Sequence, residues 1–348
     1  MALTFFHMAD IHLDQPFSSL GLQEGFPSKR REEIFHEFMR ILETAREEQP
    51  SFIFISGDLY EHEYTNIKRI SRINEAFSEL KGNIILISGN HDPESKNSFY
   101  RSFPWSENVH VLGRSKPNVV FEKEKVCVFG IGYDTGGGQA KILETIRTDR
   151  KYINVLLLHG DVDLSLSTYN AVSSDMLKAI GFDYVALGHN HRMYVKDNIY
   201  NPGSLCALKF GEDGEHGYFK GDLSTGQVEF VESKARKYID LKMDYEKFAD
   251  FERMYPDRQD IYRIKVTGTK SDYQPLAIPE GYDYVQLTDA RTAEKKEKKQ
   301  HVSQGIKGRF TDIMTTKMEE VLSEEIKIYE DALKLGVQAL SDEELDLE

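Results

Sequence analysis

Five short stretches of this chain carry side chains that could do chemistry together. They are Asp10 and His12 in "ADIHLD", Asp58 in "SGDLYEH", Asn90, His91 and Asp92 in "SGNHDP", His159 in "HGDV", and the pair His189 and His191 in "GHNH". As donors, Asp10, His12, Asp58, Asn90, His159, His189 and His191 offer hard oxygen and borderline nitrogen atoms and no thiolate. That inventory suits manganese, zinc or iron better than calcium or an iron–sulfur cluster. Seven donors exceed one tetrahedral ion, whereas two cations about 3.5 to 4 Å apart are a standard device for phosphoryl transfer. His91 is not needed as a ligand, and the ordinary titration range of imidazole suits a proton donor.

Such residues act together only if the chain brings them to one place. Each of the five stretches follows an apolar run short enough to be a strand: "LTFFHMA", "SFIFIS", "NIILIS", "INVLLL" and "DYVALG", with "VCVFGIG" as a further candidate. Between the first two, "REEIFHEFMRILETAREEQP" sets Ile34, Phe35, Phe38, Leu42 and Ala45 on one helical face and stops at Pro50. A second helical pattern runs through Ile67, Ile70, Ile73, Phe77 and Leu80. The order β-α-β-α-β marks an α/β domain. In such sheets ligands bind beyond the carboxyl ends of the strands, so the five pieces are expected to converge on one rim. Gly57, Gly89 and Gly188 stand before Asp58, Asn90 and His189, where a sharp turn must bring a side chain off a strand end. One D-x-H arises easily by chance; five motifs in this order, each behind a strand, point to a dinuclear metal centre.

The remaining sequence bounds the answer. A length of 348 residues suggests more than one unit. No apolar run approaches the roughly 18 residues of a membrane span, and "MALTFFHMADIHL" lacks the charged flank and cleavage site of a leader. The expectation is a cytoplasmic protein with no membrane partner. Cys127 and Cys206 lie in apolar runs and are expected to be buried free thiols. The net charge of -14 is unevenly spread: from residue 306 onward twelve acidic and five basic side chains give -7. Overall acidity therefore does not exclude DNA as a partner. "DTGGGQAK" lacks the G-K-[ST] ending of a phosphate loop and reads as a flexible loop near the site. Among the other histidines, His7 is expected in the core and His36 on the surface. His110, His216 and His301 are expected in loops or solvent, and His62 is left open.

The series D-x-H, G-D, G-N-H-D, H-G and G-H-x-H resembles that of the calcineurin-like metallophosphoesterases. Within them, "HMADIHLDQPF", "GDLYE", "SGNHD", "GFDYVALGHNH" and "YNPGSL" are similar to the SbcD-type DNA repair nucleases, the partners of the SbcC ATPase. The resemblance covers residues 1 to about 235, and "ARKYIDLKMD" and "IYRIKVTG" resemble the start of that family's small capping domain. It implies a four-layer α/β/β/α sandwich with a small α+β capping domain and a C-terminal helical tail. The implied divisions are 1–235 for the nuclease domain, 236–290 for the cap, 291–302 for a charged linker and 303–348 for a helical partner-binding segment. It also implies two divalent ions, manganese being expected. Asp10, His12 and His191 would hold one ion, Asn90, His159 and His189 the other, and Asp58 would bridge them. His91 would contact the scissile phosphate or protonate the leaving oxygen, with Asp92 steadying its ring. Some relatives carry histidine three residues after the bridging aspartate; here that position is Glu61, with His62 next, which leaves phosphate positioning and the exonuclease-to-endonuclease balance open.

Past the locally basic "ARTAEKKEKKQH", apolar groups recur at Ile306, Phe310, Ile313, Met314, Met318 and Val321, and Ser323 could cap a second helix through Ile326, Leu333 and Val337. These faces either pack on the body of the chain or clasp the coiled-coil base of an SbcC-like ATPase, as the resemblance implies. The expected activity is manganese-dependent DNA cleavage, 3′ to 5′ exonucleolytic with some endonucleolytic action, in a repair complex and as a homodimer. The rival readings are a phosphodiesterase or phosphatase for small nucleotides or phosphoproteins, and a non-catalytic scaffold that keeps the fold without its ions.

Overall fold

The computed structural model describes residues 2–20, 24–133, 139–164, 167, 171–270, 275–293, 306–320 and 326–340. The chain divides into two compact units, Met1–Gly268 with Pro275–Ala290, and Thr269–Gln274 with Arg291–Glu348.

The first unit holds twelve strands of a sandwich: β1 (Thr4–Met8), β2 (Phe52–Ser56), β3 (Asn83–Ile87), β4 (Val109–Val111), β5 (Asn118–Phe121), β6 (Val126–Ile131), β7 (Ile153–His159), β8 (Tyr184–Gly188), β9 (Tyr194–Lys196), β10 (Ile199–Asn201), β11 (Gly217–Asp222) and β12 (Gln227–Glu232). They form two six-stranded sheets, ordered β12-β11-β1-β2-β3-β4 and β5-β6-β7-β8-β10-β9. β1 to β4 run parallel, as do β6, β7, β8 and β10. The strands that carry the motifs therefore end on the same side of their sheets. Helices α1 (Phe26–Glu48), α2 (Ile67–Ser78), α3 (Phe99–Ser102), α4 (Gln139–Thr145) and α5 (Ser174–Ile180) fill the connections.

The layers follow from the two-residue period of a strand. Phe5, Phe52, Phe54, Ile85 and Ile87 of one sheet meet Val126, Val128, Val155, Leu157 and Ala186 of the other in one buried cluster. The alternate residues Phe6, Met8, Ile53, Ile55, Ile84 and Leu86 turn outward to Ile34, Phe35, Phe38 and Leu42 of α1 and to Ile70, Ile73 and Phe77 of α2. On the far side Phe129, Ile131, Leu156, Leu158 and Val185 pack against Leu143 of α4 and Leu177 of α5. Helix, sheet, sheet and helix thus make the α/β/β/α sandwich that the family resemblance implies. Burying one such Phe, Ile or Leu side chain contributes about 1.5–3 kcal/mol.

Local signals set the helix ends. α1 has proline in its first turn and closes on Gln49 in the left-handed region, just before Pro50. α2 starts where the Asn66 side chain accepts from the backbone N–H groups of Lys68 and Arg69. Ile67, read from sequence as part of the apolar face, is the first residue after that cap and is exposed. His7 is buried and His36 exposed, as expected. His216 is also buried, against the expectation of a loop or solvent group, with its ring nitrogens near Ser204 Oγ (3.0 Å) and the Glu212 carbonyl (3.2 Å). His110 lies half-buried in β4. Cys127 and Cys206 are buried free thiols.

Three further parallel strands, Tyr238–Asp244, Ile261–Thr267 and Tyr284–Asp289, belong to the same unit. One face forms a small core of Met243, Phe251, Tyr262, Ile264 and Val266. Tyr238, Ile261 and Tyr284 join the apolar cluster under α1. In the second unit Thr269–Lys270 pairs with Thr292–Ala293, and helices Ile306–Glu320 and Ile326–Ala339 pack together. Residues 134–138 of the glycine-rich stretch, 294–305 of the basic stretch with His301, and Val321 and Ser323 lie outside the described residues. Among the described residues no helix is long and apolar enough to cross a membrane.

Candidate metal centre

The carboxyl ends of five strands, three from one sheet and two from the other, place the motif residues around one cleft. Asp10 and His12 follow β1, Asp58 follows β2, Asn90 and His91 follow β3, His159 ends β7, and His189 and His191 follow β8. The turns are unusual. Asp10, His12, Asp58 and His189 have positive φ of 49°, 50°, 50° and 100°, a region that L side chains rarely adopt. Such backbone persists only where surrounding bonds fix it, and it gathers at functional sites. Here Ile11 and His12 donate backbone N–H groups to the Asp58 carbonyl at 2.9 Å, and the His189 N–H donates to the Asp10 carboxylate at 2.9 Å. Gly57, at φ 88°, precedes Asp58; a Cβ there would lie 2.3 Å from the His159 ring.

The second nitrogen of each imidazole defines which atom faces the cleft. His12 Nδ1 donates to Glu61 Oε1 and His191 Nδ1 to Glu212 Oε1, both at 2.7 Å. His159 Nδ1 donates to the Ser56 carbonyl at 2.8 Å. All three partners accept only, so in the neutral ring each Nε2 presents a lone pair inward. Those lone pairs meet other acceptors: His12 Nε2 is 3.1 Å from His191 Nε2, and His159 Nε2 is 3.0 Å from Asn90 Oδ1 and 3.4 Å from Asp58 Oδ2. His189 Nδ1 is 2.9 Å from the same Asn90 oxygen. Asp58 Oδ2 stands between the two groups, 3.6 Å from His12 Nε2 and 3.4 Å from His159 Nε2. Acceptors converging on acceptors repel one another unless a proton or a metal cation lies among them. The residues present therefore fit divalent cations, and ligand atoms of Asp10, His12 and His191 and of Asp10, Asp58 and His159 do lie within 4.8 Å of one another.

The electrostatics point the same way. Burial works against the Asp58 carboxylate, yet the facing imidazoles of His159, His12 and His91 hold its carboxyl well below the usual range. Burial is the largest influence and penalises the His159 cation, but the charge and hydrogen bond of Asp58, the Asp10 charge and the Ser56 carbonyl together outweigh it, and the ring is pushed up to about 9. His191 is raised too, burial being more than offset by Glu212 and Asp10. A field that favours a proton on these nitrogens also favours a metal ion. His189, lowered by burial and by its neighbour His159, is the opposite case.

His91 lies at the open edge of the cluster, one ring nitrogen within 4.8 Å of ligand atoms of His12 and Asp58. Its side chain is 41% exposed, its backbone N–H donates to Asp58 Oδ1 at 2.7 Å, and its Nδ1 is 2.9 Å from Glu61 Oε2. The Glu61 bond, against burial, raises its pKa above the ordinary value. The sequence reading gives the steadying of this ring to Asp92, and the structure corrects it. Asp92 is fully buried and accepts from the backbone N–H groups of Asp58, Leu59, Tyr60 and Gly89 and from the Tyr100 hydroxyl at 2.6 Å. Burial and the Asp58 charge push its carboxyl up to about 6, while the Tyr100 and Gly89 donors pull it down. Asp92 ties the loops after β2 and β3 together; Glu61, one oxygen on His12 and the other on His91, takes the place meant for it. Sequence reasoning also missed Glu212 and Asp161, whose Oδ2 is 3.7 Å from His189 Nε2. Asp161 had a signal, two residues after His159 in "HGDV"; Glu212 had none.

A cleft of inward acceptors at the joined ends of two packed sheets is a divalent-cation site of the kind that phosphoester hydrolases use. The chain belongs to the calcineurin-like phosphoesterase family, whose model matches residues 3–193. It is 28% identical over 253 residues to an uncharacterized metallophosphoesterase, YhaO, of Bacillus subtilis, covering 68% of this chain and 61% of that protein. The chain thus spans less than two thirds of that relative's length. It is 26% identical over 310 residues to the SbcD subunit of the SbcCD nuclease of Staphylococcus epidermidis, covering 78% of this chain and 80% of that one. A crystal structure of the protein TT1561 from Thermus thermophilus aligns with a TM-score of 0.43 at 12% identity, covering 67% of this chain and 99% of that one.

Proposed function

We propose that this metallophosphoesterase is a manganese-dependent DNA nuclease, cutting 3′ to 5′ from ends and also internally, in break repair or recombination beside an SbcC-like ATPase. The observation that carries the hydrolase is the set of inward lone pairs, Nε2 of His12, His159 and His191 against Asn90 and Asp58. The DNA substrate is supported by the similarity to a nuclease subunit over 80% of its length. Asp10, His12 and His191 would hold one ion, Asn90, His159 and His189 the other, with Asp58 between them. Two such ions supply Lewis acidity at the phosphoryl oxygens and a nucleophilic water at neutral pH.

The chain's own residues do the rest. Glu61 and Glu212 fix the tautomers of His12 and His191 so that Nε2 faces the cleft. His91, exposed and held at Nδ1 by Glu61, is free to reach the phosphodiester from its other nitrogen. As the new phosphorus–oxygen bond forms and the old one breaks, His91 gives its proton to the departing sugar oxygen. The exposed Ile313, Ile328 and Leu335 of the C-terminal helices support a docking role for that segment.

The test incubates end-labelled duplex and hairpin DNA with manganese, beside a His91→Ala variant and a nitrophenyl phosphodiester. The wild type should cut DNA, and the variant should lose about 10²–10⁴-fold on DNA and far less on the nitrophenyl diester, whose leaving group departs without a proton. Turnover of the small diester with no DNA cleavage would give the protein a small substrate. Unchanged DNA cleavage by His91→Ala would move proton donation elsewhere.

A further inference from the structure

Behind His191 runs a series of buried polar contacts that ends on helix α1. It passes through the loop 202–216 between β10 and β11, which holds no helix or strand, so tertiary bonds must fix its path. The loop backbone crosses two turns of the cleft: the Ser204 N–H donates to the His191 carbonyl at 3.2 Å and the Leu205 N–H to the Asp10 carbonyl at 3.4 Å. Further on, one peptide unit is gripped from both sides. Its carbonyl, on Ala207, accepts from Arg30 Nη2 at 3.1 Å, and its N–H, on Leu208, donates to Glu212 Oε2 at 2.7 Å. Glu212 Oε1 in turn accepts from His191 Nδ1 at 2.7 Å. Arg30, Ala207, Leu208 and Glu212 are all buried.

We infer that Arg30 is a positioning residue for the metal centre, orienting the His191 imidazole through the Ala207–Leu208 peptide and Glu212. The inference rests on the reading of His191 as a metal ligand. Arg30 and Ala207 are 177 positions apart in the chain, so nothing local joins them. A trans peptide is planar and stiff, its C=O and N–H pointing opposite ways. The guanidinium that holds the oxygen therefore sets where the N–H points, and with it the Glu212 carboxylate. That carboxylate fixes the ring of His191 and the direction of Nε2, the nitrogen that faces the cleft; such partners govern metal affinity nearly as strongly as the ligands do. Burying a guanidinium is costly unless its charge is paired. Arg30 meets that need with Nη1, which donates to Glu33 Oε2 at 2.9 Å, while Nη2 goes to the carbonyl. Glu33 is held in turn by Arg236. The fork of two nitrogens is what this geometry uses, and a lysine, with a single one, does not reproduce it.

The experiment uses full-length protein labelled with nitrogen-15 at histidine, read by magnetic resonance before metal is added and then titrated with manganese in a calorimeter. The His191 Nδ1 proton, sheltered by Glu212, should give a slowly exchanging signal, identified by its absence in Glu212→Ala. Arg30→Lys keeps the charge beside Glu33 and should shift that signal and speed its exchange with water. Glu33→Gln loosens Arg30 without removing it and should move the same signal by less. Arg30→Lys should also weaken manganese binding by about tenfold, the lower end of the range for a partner behind a ligand, and Glu212→Ala by about 10- to 100-fold. Because Arg30 acts through Glu212, the double variant should bind as Glu212→Ala does, whereas independent sites would add their losses. A His191 signal unmoved in both Arg30→Lys and Glu33→Gln, unchanged manganese affinity in Arg30→Lys, or additive losses in the double variant would overturn the inference while the metal-dependent hydrolase stands. Binding of no manganese by the wild type would overturn both.

Discussion

The Asp92 carboxylate gathers four backbone N–H groups and the Tyr100 hydroxyl at a point with no solvent access. Replacing it with alanine would leave those donors buried without an acceptor, each at a cost of about 1–3 kcal/mol, so Asp92→Ala should destabilise the fold by about 3 kcal/mol or more. Urea unfolding measures this; a loss below about 1 kcal/mol would mean that the loops find other partners. His91→Ala, by contrast, removes a half-open side chain and should leave the unfolding midpoint nearly unchanged while DNA cleavage falls. The two neighbours thus divide by kind, Asp92 by stability and His91 by rate. Their adjacency in "GNHDP" hides this, because the strand end turns one side chain into the core and the other toward the cleft.

At the scale of elements, the loops after β2 and β3 touch backbone to backbone. A Cβ on Gly89 would lie 2.2 Å from Asp58 Oδ1 and 2.4 Å from the Asp58 nitrogen. Gly89→Ala must therefore push the shared carboxylate aside. Manganese binding should fall to background in calorimetry, with a lower melting temperature but intact secondary structure; wild-type affinity in that variant would show that the loops can separate freely. The C-terminal helices make a different prediction. Deleting residues 303–348 leaves the unit that contains the cleft, with its own cores, so manganese-dependent cleavage of short DNA should survive while capture of an SbcC-like coiled coil is lost. If the truncated protein fails to fold, those helices are part of the body and not a clasp.

Across the whole molecule, two sheets meet over a buried histidine. His7 lies between them, its ring nitrogens near the Tyr184 hydroxyl and the Leu187 carbonyl, both at 3.0 Å, and burial lowers its pKa from 6.5 to about 3. The unfolded chain takes up this proton as the pH falls through 6.5; the folded one does not until about 3. The stability that neutral His7 contributes is complete above about pH 6.5 and is lost as the pH falls, at up to about 1.4 kcal/mol per unit. Unfolding free energies between about pH 6.5 and 5 should fall less steeply for His7→Gln than for the wild type; parallel slopes would remove His7 as the cause. The sequence by itself determined the strand runs, the two amphipathic helices and the chemical types and spacing of the seven candidate donors, because side-chain chemistry and periodicity are local properties of a chain. Only the tertiary structure decided that three motifs come from one sheet and two from the other, and that Glu61 serves both His12 and His91. It alone set Glu212 behind His191 and drew Asp92 inward. The reason is distance along the chain: His12 finds Glu61 49 positions away and His191 179 positions away. Which nitrogen of an imidazole faces a cleft depends on what lies behind the ring, and that neighbour exists only once the sheets have packed.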